Sequence, residues 1–296
     1  PGSTPLSDYS PALEQTIYAC ERRLEWYAED ALASGIAGPS FIGRFSTDTS
    51  VGKATDWACA LLDWVPGKRE RSRDRVATLA DAIEHTGILV MRSSVVGNNT
   101  QNKLDPDEFR GFTLIRHSFG LIFINSADSG VGKLFSLAHE FGHILIGEQG
   151  ISGGPLNQRT VERWCNQFAT ALLVSTKDIL NRWSETRDLE SVCQWSFKTF
   201  GVSRDVTVWL LVDNGVLPRE AGQRFLQEAP SPPTAQRNRG GDFTVGLRSR
   251  LGGLFLEAVT GALVEGRIDE REASRQLGVK KISAIEALVD QYQGLP

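Results

Sequence analysis

Apolar positions recur at helical spacing through the first third of the chain. Leu13, Ile17, Tyr18, Cys20, Leu24 and Tyr27 predict a helix over 12–33, broken by Gly35, Gly38 and Pro39. A second helix is expected over 53–64, ending before Pro66, and a third over 73–85, with Val76, Leu79, Ala80 and Ile83 on its apolar face. The pattern then changes to short apolar runs: 87–91, 112–115 and 121–125 read as strands. Residues 116–120 have hairpin length and include a glycine, so the last two strands should be antiparallel neighbours. The Asn-, Gly- and Asp-rich stretch 96–108 reads as an exposed loop.

Beyond the strands the chain returns to helical periods. A nearly all-apolar helix spans 134–146, and a glycine-rich loop follows over 147–158. The next helix, 160–174, carries Val161, Trp164, Cys165, Phe168, Ala169 and Leu172 on its inner side. Two further helices, 188–200 and 203–213, are split at Gly201. Residues 229–241, with Pro230, Pro232, Pro233, Gly240 and Gly241, form the clearest linker, and 247–294 read as two or three short helices. No internal repeat is evident. The fold class is therefore α+β: mostly helical, with a small antiparallel sheet beside the helix of 134–146, and a helical C-terminal region.

Composition narrows the function classes. A chain of 296 residues with 41% hydrophobic content can fill one large core or several small ones. Its net charge of -4 gives no bulk attraction to nucleic acid or to an anionic membrane. No apolar run approaches the ~20 residues of a membrane span, so no membrane partner is expected. The four cysteines are scattered without a CxxC pair and read as reduced thiols of a cytoplasmic protein. Lys68 to Arg75 is a basic run; it reads as a solvated helix start, with a small nucleic-acid or partner patch as the alternative. Pro1-Gly2-Ser3 has the look of a cloning scar, and the natural N-terminus is expected to be truncated.

The chemistry concentrates in His139-Glu140-Phe141-Gly142-His143, an HExxH motif. Histidines four apart on a helix project from one face, within reach of one Zn²⁺ at about 2.0–2.1 Å. Glu140 can then lie beside a metal-bound water as general base. The apolar flanks argue for burial, and a buried His-Glu-His cluster without a partner would be costly. A catalytic zinc usually has three protein ligands and an open position. Glu162, on the following helix, is the preferred third ligand. Glu148 is nearer but sits where the first helix should fray, and Cys165, one turn after Glu162, is the other alternative. Arg116 and His117, in the hairpin loop, are candidate oxyanion donors.

The run Glu162-Arg163-Trp164-Cys165-Asn166-Gln167-Phe168-Ala169-Thr170-Ala171-Leu172-Leu173-Val174 resembles the ExxANxFAxxLLMP helix of the ImmA/IrrE-type zinc metallopeptidases. Residues 109–112, 122–125 and 135–147 are similar to the same family, and the likeness covers about residues 80–175. The resemblance implies that Glu162 is the third zinc ligand and that Asn166 orients His139 by a hydrogen bond. Cys165 stands where the family has alanine, and Val174-Ser175 replaces its Met-Pro ending.

It further implies a zinc endopeptidase that makes one cut in a protein substrate, a helix-turn-helix transcriptional repressor. Such a cut induces stress, mobile-element or phage-defence genes under an activating nucleic-acid or small-molecule signal. The alternatives are a zinc-containing sensor or binding protein that regulates transcription without hydrolysis, and a metallohydrolase acting on a non-peptide substrate. The expected organisation is a scar at 1–5, an N-terminal helical region at 6–78 and a zincin-like domain at 79–185. A helical, weakly helix-turn-helix-like region at 186–228, a linker at 229–244 and a C-terminal helical region at 245–296 follow.

Overall fold

The structure, a computed structural model, describes residues 9–67, 74–148, 150–151, 159–228 and 243–279, together with 285 and 289. The scar at 1–5, most of the basic run 68–75, most of the loop 147–158, nearly all of the linker 229–244 and most of the tail past 279 lie outside the described residues.

Three helices open the chain: α1 (Pro11–Ala33), α2 (Val51–Leu62) and α3 (Arg75–Glu84). Each begins at a side-chain cap, since Ser10, Ser50 and Asp74 accept the otherwise orphaned backbone N–H groups of Leu13, Lys53 and Val76. Strands β1 (Leu89–Ser93), β2 (Gly111–Arg116) and β3 (Phe119–Asn125) follow. Helix α4 (Gly130–Ile146) is capped by Ser129 and stopped by Gly147 at φ 78°, a left-handed conformation that glycine adopts without strain. Then come β4 (Gly150–Ile151), α5 (Arg159–Leu173), α6 (Thr176–Thr186), α7 (Leu189–Phe200), α8 (Arg204–Asp213) and α9 (Arg219–Gln227). The C-terminal region forms α10 (Phe243–Leu251), α11 (Gly253–Val264) and α12 (Glu270–Leu277). Helices α6 and α9 and strand β4 go beyond the sequence reading. Each helix buries few residues, only Ile179 and Trp183 in α6 and Gly222 in α9.

The sheet has the order β1-β3-β2-β4. The β2–β3 hairpin is antiparallel, with Phe112 opposite Phe123 and Thr113 opposite Ile122. The rest departs from the expected antiparallel sheet. β1 adds to β3 in parallel, Leu89 opposite Leu121 and Val90 opposite Ile122, so the sheet is mixed. The excursion through residues 94–110 returns the chain to the far side of β3's position before β2 begins, and the tight hairpin then inserts β3 between β1 and β2. The free side of β2 is taken up at Phe112 and Thr113 by Ile151 and Gly150 of β4.

Alternation along β3 explains the layers. Ile122 and Ile124 belong to one hydrophobic core, with Leu137, Phe141 and Ile144 of α4 and with Phe168 and Leu172 of α5. Leu121 and Phe123 belong to a second core on the opposite face, with Leu13, Ile17 and Leu24 of α1 and Phe255 and Val259 of α11. The first core continues into α7 and α8 through Val192, Phe200, Val206 and Leu211. Helix α8 buries Val206, Thr207, Val208, Leu210 and Leu211, the pattern of an ordinary helical hairpin partner rather than a groove-reading helix.

The C-terminal helices are fastened to the rest by a carboxylate. Glu84, at the end of α3, is buried and accepts backbone N–H bonds from Gly253 at 3.0 Å and Leu254 at 3.3 Å, at the start of α11. Burial pushes its carboxyl up to about 7, although the bonds from Gly253 and Leu254 pull the other way. Gly252 sits at φ 81°, and a Cβ there would collide with Glu84 Oε1.

Candidate metal and catalytic site

Helix α4 lies across the first core and presents His139 and His143 on the face turned to α5. Both are about 5% exposed. Glu162 stands in the first turn of α5, half-buried opposite them. His139 Nε2 and His143 Nε2 are 3.1 Å apart. Each is 3.3 Å from one oxygen of Glu162. A tetrahedral cation with ligand bonds of about 2.0–2.1 Å needs vertices about 3.3 Å apart. The three donors are therefore spaced to surround one small ion, and they form the one potential metal-holding group among the described residues.

The protonation chemistry of this group calls for a positive charge. Two imidazole nitrogens at 3.1 Å cannot both face each other with lone pairs, so a proton or a cation must lie between them. Burial lowers the His143 pKa, but bonds to Cys165 and Glu162 and the charge of Glu140 outweigh it and hold the imidazole up to about 11. Burial raises the Glu162 pKa, and the bonds and charges of His139 and His143 overcome that and draw it down to about 2. Without an ion the cluster keeps a proton; a divalent cation would satisfy the same demand.

Further polar contacts set the orientation of these groups. His139 Nδ1 lies 3.0 Å from Asn166 Oδ1. An amide oxygen only accepts, so Nδ1 carries the hydrogen and Nε2 is left as the lone-pair donor toward the ion. His143 Nδ1 is buried with no hydrogen-bond partner of good geometry. The Cys165 thiol is held against that imidazole, and it also packs on Gly142, where a Cβ would come within 3.2 Å of the sulfur. Burial raises the Cys165 pKa, so it remains a thiol.

Glu140 is 1% exposed and turned to the sheet. Its Oε2 accepts the Thr113 hydroxyl at 2.8 Å. A Cβ at Gly111 would sit 3.1 Å from both Cγ and Oε1 of Glu140, so glycine on β2 leaves room for the carboxylate. Thr113 and Gly111 escape the sequence reading. Strand alternation is the one signal for them, since positions 111, 113 and 115 of β2 share the face turned to α4.

The remaining candidates lie elsewhere. By the same alternation Phe112, Leu114 and Arg116 point to the second core, away from α4. Arg116 accordingly meets Glu21 of α1 at 3.2 Å, and His117, in the left-handed turn of the hairpin at φ 49°, meets Glu25 at 2.9 Å. Neither is brought to the histidines. Glu148 is exposed just past the α4 cap and is not part of the donor group.

Comparison with curated proteins and with solved structures gives no match. The stretch that builds this site, from Ile83 at the end of α3 to Val208 inside α8, is similar to the family model of peptidase M78, described as an IrrE N-terminal-like domain, over residues 83–208.

Proposed function

We propose that this protein is a zinc-dependent endopeptidase of the HExxH type that makes a site-specific cut in a regulatory protein. The observation that carries the reading is the triangle of His139 Nε2, His143 Nε2 and a Glu162 oxygen, with separations of 3.1–3.3 Å. Two imidazoles and one carboxylate are the donor set that zinc takes in peptidases with an open coordination position. A bound Zn²⁺ at this site supplies Lewis acidity, acidifying a water and polarising the scissile carbonyl.

The chain's own groups do the rest. Asn166 fixes the His139 tautomer. Thr113 holds the Glu140 carboxylate by one oxygen and so aims the other. In the proposed reaction the other oxygen takes the proton of the attacking water and delivers it to the departing amine nitrogen. Phe135 packs beside His139, ring centroids 6.4 Å apart, and gives the site an apolar flank. A purely structural ion site would have no use for Glu140, which favours hydrolysis over the sensor reading.

The family match supports a protein substrate. The finer identification, a helix-turn-helix repressor cut once to release stress, mobile-element or phage-defence genes, rests on the resemblance of the α4 and α5 motifs. Co-expression with a candidate helix-turn-helix repressor tests this. Wild type should convert the repressor to two fragments, and Glu140→Gln, which keeps the ligands, should leave it intact. Equal cleavage by both forms would refute Glu140 as the base, and an intact repressor under every inducing condition would refute the repressor as target.

A further inference from the structure

On the sheet face opposite the histidines a cavity of about 270 Å³ opens between α1, β1 and the C-terminal helices. Thr16, Cys20 and Arg23 of α1 line one side, and Leu247 and Arg250 of α10 line another. Its cationic groups are unusual. Arg23 Nε donates to the Gln276 carbonyl at 3.2 Å, and neither Arg23 nor Arg250 forms an ion pair among the described residues. Arg250 Nε is buried with no hydrogen-bond partner.

Two guanidinium groups thus share one hollow, with no carboxylate among its described lining residues. Burial lowers the Arg23 pKa, and the neighbouring charges of Arg22 and Arg250 lower it further. Burial also lowers that of Arg250. The Cys20 thiol in the wall is pushed up to about 12 by burial, so it stays neutral and offers no counter-charge. An unpaired buried charge is costly, and guanidinium forks match tetrahedral oxyanions in both geometry and charge.

We propose that this cavity binds a small phosphate monoester, its dianionic head held by Arg23 and Arg250 and its organic body against Phe123 and Leu247. The charge count selects the head group: two arginines match a group of about -1.5 to -2 at pH 7 better than a monoanionic carboxylate. The volume suits a compact metabolite and is too small for a dinucleotide. The pocket straddles the seam between the sheet and the C-terminal helices, since Arg23 also holds the α12 carbonyl of Gln276, and Asn98 holds that of Gly278. Occupancy would therefore tighten the seam. This proposal does not depend on the peptidase reading.

The test is calorimetric titration of the metal-loaded full chain with phenyl phosphate and, in parallel, benzoate at constant ionic strength. Melting temperatures are recorded with and without each probe. Phenyl phosphate should bind saturably and raise the melting temperature. Arg250→Met and Arg23→Met should weaken binding at least 10-fold. Arg250→Met should leave the unliganded melting temperature unchanged or raised, because it removes a half-buried guanidinium whose Nε has no hydrogen-bond partner among the described residues. Arg250→Lys, which keeps the charge and the fold but loses the fork, should weaken binding to an intermediate degree. Binding retained in Arg250→Met but abolished by metal removal would belong to the histidine site and overturn the proposal. So would absence of saturable binding, or a lowered unliganded melting temperature in Arg250→Met and Arg250→Lys alike. Equal affinity for benzoate would overturn the phosphate assignment.

Discussion

The Thr113 hydroxyl donates to Glu140 Oε2 at 2.8 Å, joining the middle of β2 to the middle of α4 across 27 positions of sequence. The same hydroxyl is 3.1 Å from the Glu140 carbonyl oxygen. The strand thus grips both ends of the residue that the proposed reaction uses as its base.

Removing that grip should impair turnover more than binding. In Thr113→Val the shape is kept and the donor is lost, and a hydrogen bond to a charged group contributes roughly 1.5–3 kcal/mol. If the carboxylate must hold its aim in the transition state, kcat should fall about 10- to 100-fold with KM little changed. Metal content should equal that of wild type. Steady-state cleavage kinetics and metal analysis on the same preparation check this, and an unchanged kcat would remove Thr113 from the positioning of Glu140.

Asn166 should set metal affinity through His139. Losing the acceptor at 3.0 Å from Nδ1 frees the imidazole to rotate and to take the other tautomer. Outer partners of this kind typically change affinity by about 10- to 100-fold. Asn166→Ala should therefore release zinc at correspondingly lower chelator concentration, whereas Asn166→Asp, which keeps an oxygen acceptor, should stay near wild type. Competition against a chromophoric chelator measures both.

Metal removal should lower stability, because only the folded chain brings His139, His143 and Glu162 together. At a free zinc concentration of 100 times Kd, linkage adds about 2.7 kcal/mol. Thermal melts should thus shift upward on zinc addition and downward with chelator. Glu162→Ala should flatten that response while remaining folded, since its side chain is half-buried at the mouth of the site. A full zinc-dependent shift in Glu162→Ala would take the carboxylate out of the ligand set.

What the sequence discloses follows from how local each feature is. The α4 histidines and Glu140 are legible because one helical turn fixes their mutual placement, whatever the rest of the chain does. The Glu162–Asn166 pair is legible for the same reason on α5. Thr113 and Gly111 are not, since a strand residue's facing depends on register, which tertiary pairing decides. Arg116 is placed by that same rule: its strand phase directs it to Glu21 of α1, on the face away from α4. The parallel pairing of β1 is hidden because periodicity reports a strand's existence and not its direction. The Arg23–Arg250 hollow is hidden because it joins residues over two hundred positions apart, on helices that read as ordinary amphipathic surfaces.

Glu84 gives the fold a pH dependence with a definite sign. Its carboxyl is raised from 4.5 in the unfolded chain to about 7 in the folded one. Between those values the unfolded state loses its proton first, so the folded state binds more protons and stability falls as pH rises. The stabilisation is fully present below about 4.5 and is lost by the time pH passes 7, at up to ~1.4 kcal/mol per pH unit. Gly253 and Leu254 donate to separate oxygens of Glu84, so Glu84→Gln keeps an acceptor for one of the two, as the protonated acid does, but does not titrate. The variant and wild type should therefore be most alike near pH 4.5–5, and the variant should gain on wild type up to about pH 7.5. Denaturant midpoints of both proteins across pH 5–8 measure the difference directly, cancelling every group they share. A difference that stays flat across the range would mean that Glu84 is charged in the fold throughout and that the seam between α3 and α11 is held by an ion, not by an acid.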